Sequence, residues 1–107
     1  MALLNPHETY KAQAGDCTLQ ANIHGHIHTL AIKPAVGATG TLSVYVTPNG
    51  SVQQPLYRAG APVVIDFADP TTLTHIFYGC IESVFLDAAI TGTYDATLSS
   101  QGTLPQD

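Results

Sequence analysis

The sequence predicts an all-β protein: a single antiparallel β-sandwich, of jelly-roll or immunoglobulin-like type, entered by an extended N-terminal arm. Three observations predict it. Apolar and polar residues alternate in one short window after another, as on strands with one buried face. Turn residues recur roughly every 8 to 12 positions, the spacing of sandwiches and barrels. No window carries the i, i+3, i+4 apolar stripe of a helix.

With 107 residues, the chain supports one domain and one core. Residues 1–14 contain Pro6 and show no sustained periodicity, so they read as the arm. Residues 15–100 form the sandwich, and 101–107 read as a polar tail.

The first strand lies in DCTLQANIH, where Cys17, Leu19, Ala21 and Ile23 alternate with polar residues. Beyond Gly25 the apolar parity slips to Leu30 and Ile32. A one-residue slip exchanges the two faces of a strand, so a turn or bulge is expected between His24 and Thr29, most cheaply at Gly25. GTLSVYVTP turns Leu42, Val44 and Val46 inward, and PNGS is a turn by composition. VQQPLYR contains Pro55 and is at best an edge strand or a loop. PVVIDFADP places Val63, Ile65 and Phe67 on one face. LTHIFYG and CIESVFLDA follow as two further strands, and GTYDATLSS alternates Tyr94, Ala96 and Leu98 against polar neighbours.

Charged residues make up only 10% of the chain, against about 25% in ordinary soluble domains. A surface so poor in charge suits a subunit packed against neighbours better than a free enzyme. The net charge is −5, with Lys11, Lys33 and Arg58 the only cations apart from histidine. That balance argues against nucleic acid as a partner, and no basic amphipathic segment suggests a membrane. The opening MALLNPHETYK lacks the cationic start of a signal peptide, so synthesis and residence in a cytoplasm are expected. In a reducing compartment Cys17 and Cys80 are expected to be unlinked, buried thiols, and Cys80 with His75 makes a poor catalytic pair because no orienting acid follows.

The stretch NIHGHIH carries the one pattern with potential chemistry. In an unbroken strand His24, His26 and His28 would share a face. The plainer expectation is that they lie on the solvent face or at a subunit contact. The sharper one is a metal site, since His-x-His is a good bidentate spacing. A threefold assembly would then gather His26 and His28 from each copy around iron or zinc; otherwise no cofactor is expected. Asp66 and Asp69 could contribute to a calcium site, but Asp69, ahead of Pro70, suits turn capping better; Asp87 and Asp95 flank a turn and read the same way, and Glu82 is expected to be exposed. Tyr45, Tyr57, Tyr78 and Tyr94 raise the alternative of a sugar-stacking platform, weakened by the absence of Trp and by Tyr78 and Tyr94 reading as core-facing.

Three segments carry a resemblance: the arm leading into DCTLQANI, the run LAIKPAVGATGTLSVYVTPNG, and the closing CIESVFLDAAITGTYDATLSS, read as a hairpin. Together, over about residues 15 to 100, they resemble small β-sandwich structural proteins of tailed bacteriophage virions. These are fold-and-turn patterns and include no catalytic signature. The resemblance implies a non-enzymatic virion protein made in the host cytoplasm, with no catalytic residues. Capsid decoration or cement is the leading position, acting through oligomeric contacts and the arm. Its implied partners are copies of itself, such as a trimer, and a major capsid or tail protein. Two alternatives stand beside it: a tail or tail-spike component whose histidines bind metal at an oligomer axis, and a small carbohydrate-binding adhesion module.

Overall fold

A computed structural model describes residues 7–21 and 25–101. The strands are β1 (His7–Gln13), β2 (Cys17–Gln20), β3 (Ile27–Pro34), β4 (Thr39–Pro48), β5 (Gln54–Pro55), β6 (Tyr57–Arg58), β7 (Ala61–Pro62), β8 (Val64–Asp66), β9 (Thr74–Tyr78), β10 (Ile81–Thr91) and β11 (Tyr94–Gln101). One turn of 3-10 helix, Pro70–Thr72, precedes β9.

Two sheets face each other. One has the order β1-β11-β3-β9, the other β2-β10-β4-β5 with β8 also on β4; β6 and β7 form a separate small hairpin. Every pairing between strands is antiparallel. The chain alternates sheets at each step from β1 to β4 and again from β9 to β11. That alternation, with the outer order 1-11-3-9 over 2-10-4-5, is the jelly roll, so of the two sandwich types left open by the sequence this one is adopted.

The alternating patterns bury the faces they were expected to bury. Leu30, Ile32, Ala96, Leu98, Leu42, Val44, Leu19 and Ile65 are each at most 5% exposed and fill the space between the sheets. Tyr94 is 1% exposed; its hydroxyl donates to the Gly15 carbonyl at 2.6 Å and its ring packs 5.9 Å from that of Phe67. A buried phenol needs such a partner, and burial pushes its ionisation upward.

Three expectations are corrected. From His7 onward the supposed arm is a strand: Glu8, Thr9 and Tyr10 pair with Leu98, Thr97 and Ala96. Its apolar pattern is weak because an edge strand packs few side chains inward, while its backbone bonds are what hold it. A bulge at Ala12, φ 53°, lets the Ala12 N–H reach the Asp95 carboxylate at 2.9 Å. Second, β10 and β11 are not a hairpin. They lie in opposite sheets, and the Gly92–Thr93 corner carries the chain across the sandwich. Both strands present alternating apolar faces, and sequence alone does not say whether two such faces lie side by side or opposed. Third, Gln101, expected to open the tail, is the last residue of β11; residues 102–107 lie outside the described residues.

Candidate functional site

The histidine stretch leads into β3, beside β9 and β11, at one end of the first sheet. His24 lies outside the described residues. His26 precedes β3 and is exposed, whereas His28 is on β3 and 0% exposed, on the inward face with Leu30 and Ile32. The shared face expected of i and i+2 therefore does not extend to this pair, because His26 stands before the regular strand begins.

His28 is fully occupied. Its Nε2–H donates to the Gly79 carbonyl at 2.7 Å, which leaves Nδ1 as the acceptor for the Ser100 hydroxyl at 3.0 Å. Its ring stacks on Phe77, centroid to centroid 5.3 Å. Burial holds its pKa below the ordinary 6.5, against the raising effect of the Gly79 carbonyl, with His26 adding to the lowering. His28 thus acts as a neutral linker between β3, β11 and the β9–β10 connection, and offers no free nitrogen to a metal. Among the described residues no three His, Cys, Asp or Glu side chains gather as a metal site.

His26 keeps different company. Its Nδ1 is 3.4 Å from Sγ of Cys80, and both residues are exposed. Cys80, expected to be buried, is therefore the accessible thiol, while Cys17 is 4% exposed and unlinked to it. His75, the nearest histidine to Cys80 in sequence, is instead an inward residue of β9. Its Nε2–H donates to the Thr72 carbonyl at 2.9 Å and its Nδ1 has no partner; burial lowers its pKa.

The carboxylates serve turns. Asp69 Oδ1 accepts from the Thr71 N–H at 3.1 Å and caps the 3-10 turn, and Asp66 Oδ1 accepts from the Ala68 N–H at 2.9 Å. Glu82 is exposed and accepts from the Gly50 N–H.

What remains is a surface that sequence reasoning missed. Tyr78, expected in the core, is 75% exposed, and Ile76 is 48% exposed on the same outer face of β9. Tyr57, on the β6–β7 hairpin, is 60% exposed; its neighbour Arg58 reaches β9 and donates to the Ile76 carbonyl at 2.6 Å. The alternation in THIFY gives the signal, since Thr74, Ile76 and Tyr78 must oppose His75 and Phe77. The buried residue with the misleading label is the histidine. This apolar and aromatic strip lies along a sheet edge, where contact with another surface buries area at little electrostatic cost.

No family model matches the sequence, and no curated protein sequence matches it. The fold itself is shared. The chain is similar to the SPBc2 prophage-derived protein YomS, with a TM-score of 0.56 and 12% identity, over 94% of this chain and 98% of that one. It is also similar to Pseudomonas aeruginosa AlgX, with a TM-score of 0.52 and 11% identity. That match covers 95% of this chain but 27% of AlgX. At these identities the likeness is one of fold.

Proposed function

We infer, from a jelly roll shared with a prophage-derived protein and from an exposed apolar edge, that this chain is a non-enzymatic structural subunit of a bacteriophage particle. Capsid decoration is its leading position. The observation that carries this reading is the outer face of β9, where Ile76 and Tyr78 stand exposed. Large side chains held in solvent on a rigid strand suit a surface that meets another protein. The low charge of the chain supports the same role, because contact then desolvates few ions. Work of this kind needs repetition: many weak, identical contacts on a lattice sum to a firm hold.

The test is co-purification. Particles from lysates of cells carrying this gene are banded on a density gradient and probed with antibody to the chain. The chain is expected in the particle band in many copies. Its recovery only in the soluble fractions contradicts the reading.

A second reading has one observation in its favour. Tyr57 and Tyr78 are both open to solvent, and exposed tyrosines stack on sugars, as an adhesion module requires. A glycan array decides it: binding lost in Tyr78→Ala supports adhesion, and silence at high protein concentration ends it.

A further inference from the structure

We propose that the outer edge of β9 pairs antiparallel with β9 of a second copy, about a twofold axis at Ile76, joining two sandwiches through one continuous sheet. This rests on the reading of the chain as a contact-forming subunit and names the contact.

The ladder to β3 fixes which backbone groups are free. His75 pairs with Leu30 and Phe77 with His28, and the bonds Ile32 N–H to Leu73 C=O and Gly79 N–H to His26 C=O continue that series. His75 and Phe77 therefore spend their backbone groups on β3, as do the Leu73 carbonyl and the Gly79 N–H. Thr74, Ile76 and Tyr78 turn theirs to the open side.

The edges formed by β1, β2 and β5 are guarded. β1 carries Glu8, Lys11 and the Ala12 bulge. β2 is four residues long, and its Gln20 N–H is taken by the Glu8 carboxylate. β5 ends in Pro55, which has no N–H to give. Charge, bulges, brevity and proline are the devices that keep strand edges apart. β9 itself carries no charge, bulge or proline: Leu73 through Cys80 contains no Asp, Glu, Lys, Arg or Pro, and its register with β3 is unbroken.

Charge and register together select a second copy as the occupant. Two chains of net −5 repel over most of their surfaces. The strand β9 has no acid, so a second copy can meet it there without bringing carboxylates together. About a twofold axis at Ile76, Ile76 faces Ile76 and Thr74 faces Tyr78, apolar and aromatic pairs of the kind that favour sheets. Each outward residue then exchanges N–H and C=O bonds with its counterpart. The Arg58 bond to the Ile76 carbonyl must open first. Arg58 is thus a latch that keeps pairing weak in free solution and lets it proceed where copies are concentrated.

Sedimentation equilibrium of the full chain over a wide concentration range tests this. A reversible monomer–dimer equilibrium is expected. Ile76→Pro removes the N–H offered to the partner and leaves the β3 ladder whole, and it should raise the dissociation constant about tenfold or more. Tyr78→Lys, at an exposed side chain, should do the same without touching the backbone. Arg58→Ala should tighten the dimer. Circular dichroism verifies the fold of each variant. A chain that stays monomeric throughout, a dimer indifferent to both Ile76→Pro and Tyr78→Lys, or an Arg58→Ala dimer no tighter than wild type overturns the proposal. These outcomes concern the isolated chain, so they leave the particle reading to the gradient experiment, whose failure in turn leaves the dimer standing.

Discussion

His28 and Ser100 are register partners on β3 and β11, and their side chains meet at 3.0 Å inside the sandwich. The same imidazole donates to Gly79, so one ring fastens two adjacent strands and the turn that leaves β9. A stretch that reads as metal chemistry in sequence is, at this residue, the internal bracing of a jelly roll.

Removing that ring leaves a cavity and strands two polar partners. His28→Ala is expected to lower unfolding stability by about 2–4 kcal/mol, and Ser100→Ala by about 1 kcal/mol. Urea denaturation measures both. If His28→Ala unfolds within a few tenths of a kcal/mol of wild type, the bracing role fails.

Acid should weaken the fold, and the sign follows from burial. His28 and His75 both have folded-state pKa values below the ordinary 6.5, so the unfolded chain takes up protons more readily. Their contribution to stability is complete above pH 6.5 and is lost as pH falls from there toward the folded values. The loss is at most about 1.4 kcal/mol per pH unit for each histidine. Denaturant midpoints at pH 7.5, 6.5 and 5.5 check it, and His75→Leu should flatten the slope. Stability that rises on acidification would contradict the burial of both rings.

Only one thiol should react. Cys80 is exposed, whereas Cys17 is buried and its ionisation is opposed by that burial and by Glu8. Native protein is expected to take up one equivalent of a maleimide quickly, at Cys80, and a second only after denaturation. Equal labelling at both positions would mean that β2 is not held against the core.

Two glycines should differ sharply. At Gly40, φ +116°, an added Cβ would fall 2.3 Å from the Ala89 carbonyl oxygen, so Gly40→Ala should cost about 3 kcal/mol. At Gly37, φ +84°, the space is open and only backbone strain remains, about 1 kcal/mol. Comparable melting temperatures for the two variants would refute the close approach of β4 and β10.

The sandwich was legible because each long strand buries alternate residues, and that period survives translation into three dimensions. Leu42 and Val44, or Ala96 and Leu98, are readable one window at a time. Other features were not, because they depend on partners distant in sequence. β1 is held by backbone bonds to β11, which leave no mark in composition. β10 and β11 look like a hairpin until their opposed sheets are known. At the candidate site, His28 and His75 belong to inward sets that also contain Leu30 and Phe77, and the polar label hid them. Tyr78 was misplaced for the converse reason, its aromatic label outweighing its parity with Thr74. His26 and Cys80 are 54 positions apart, and only the fold brings them together.

The most direct test of a contact-forming particle subunit is electron cryomicroscopy of virions from cells carrying this gene. Density for the jelly roll should recur at symmetry-related positions on the particle, with the outer face of β9 against a neighbouring chain. Particles that lack this density, together with a free monomer that turns over a substrate, would contradict it.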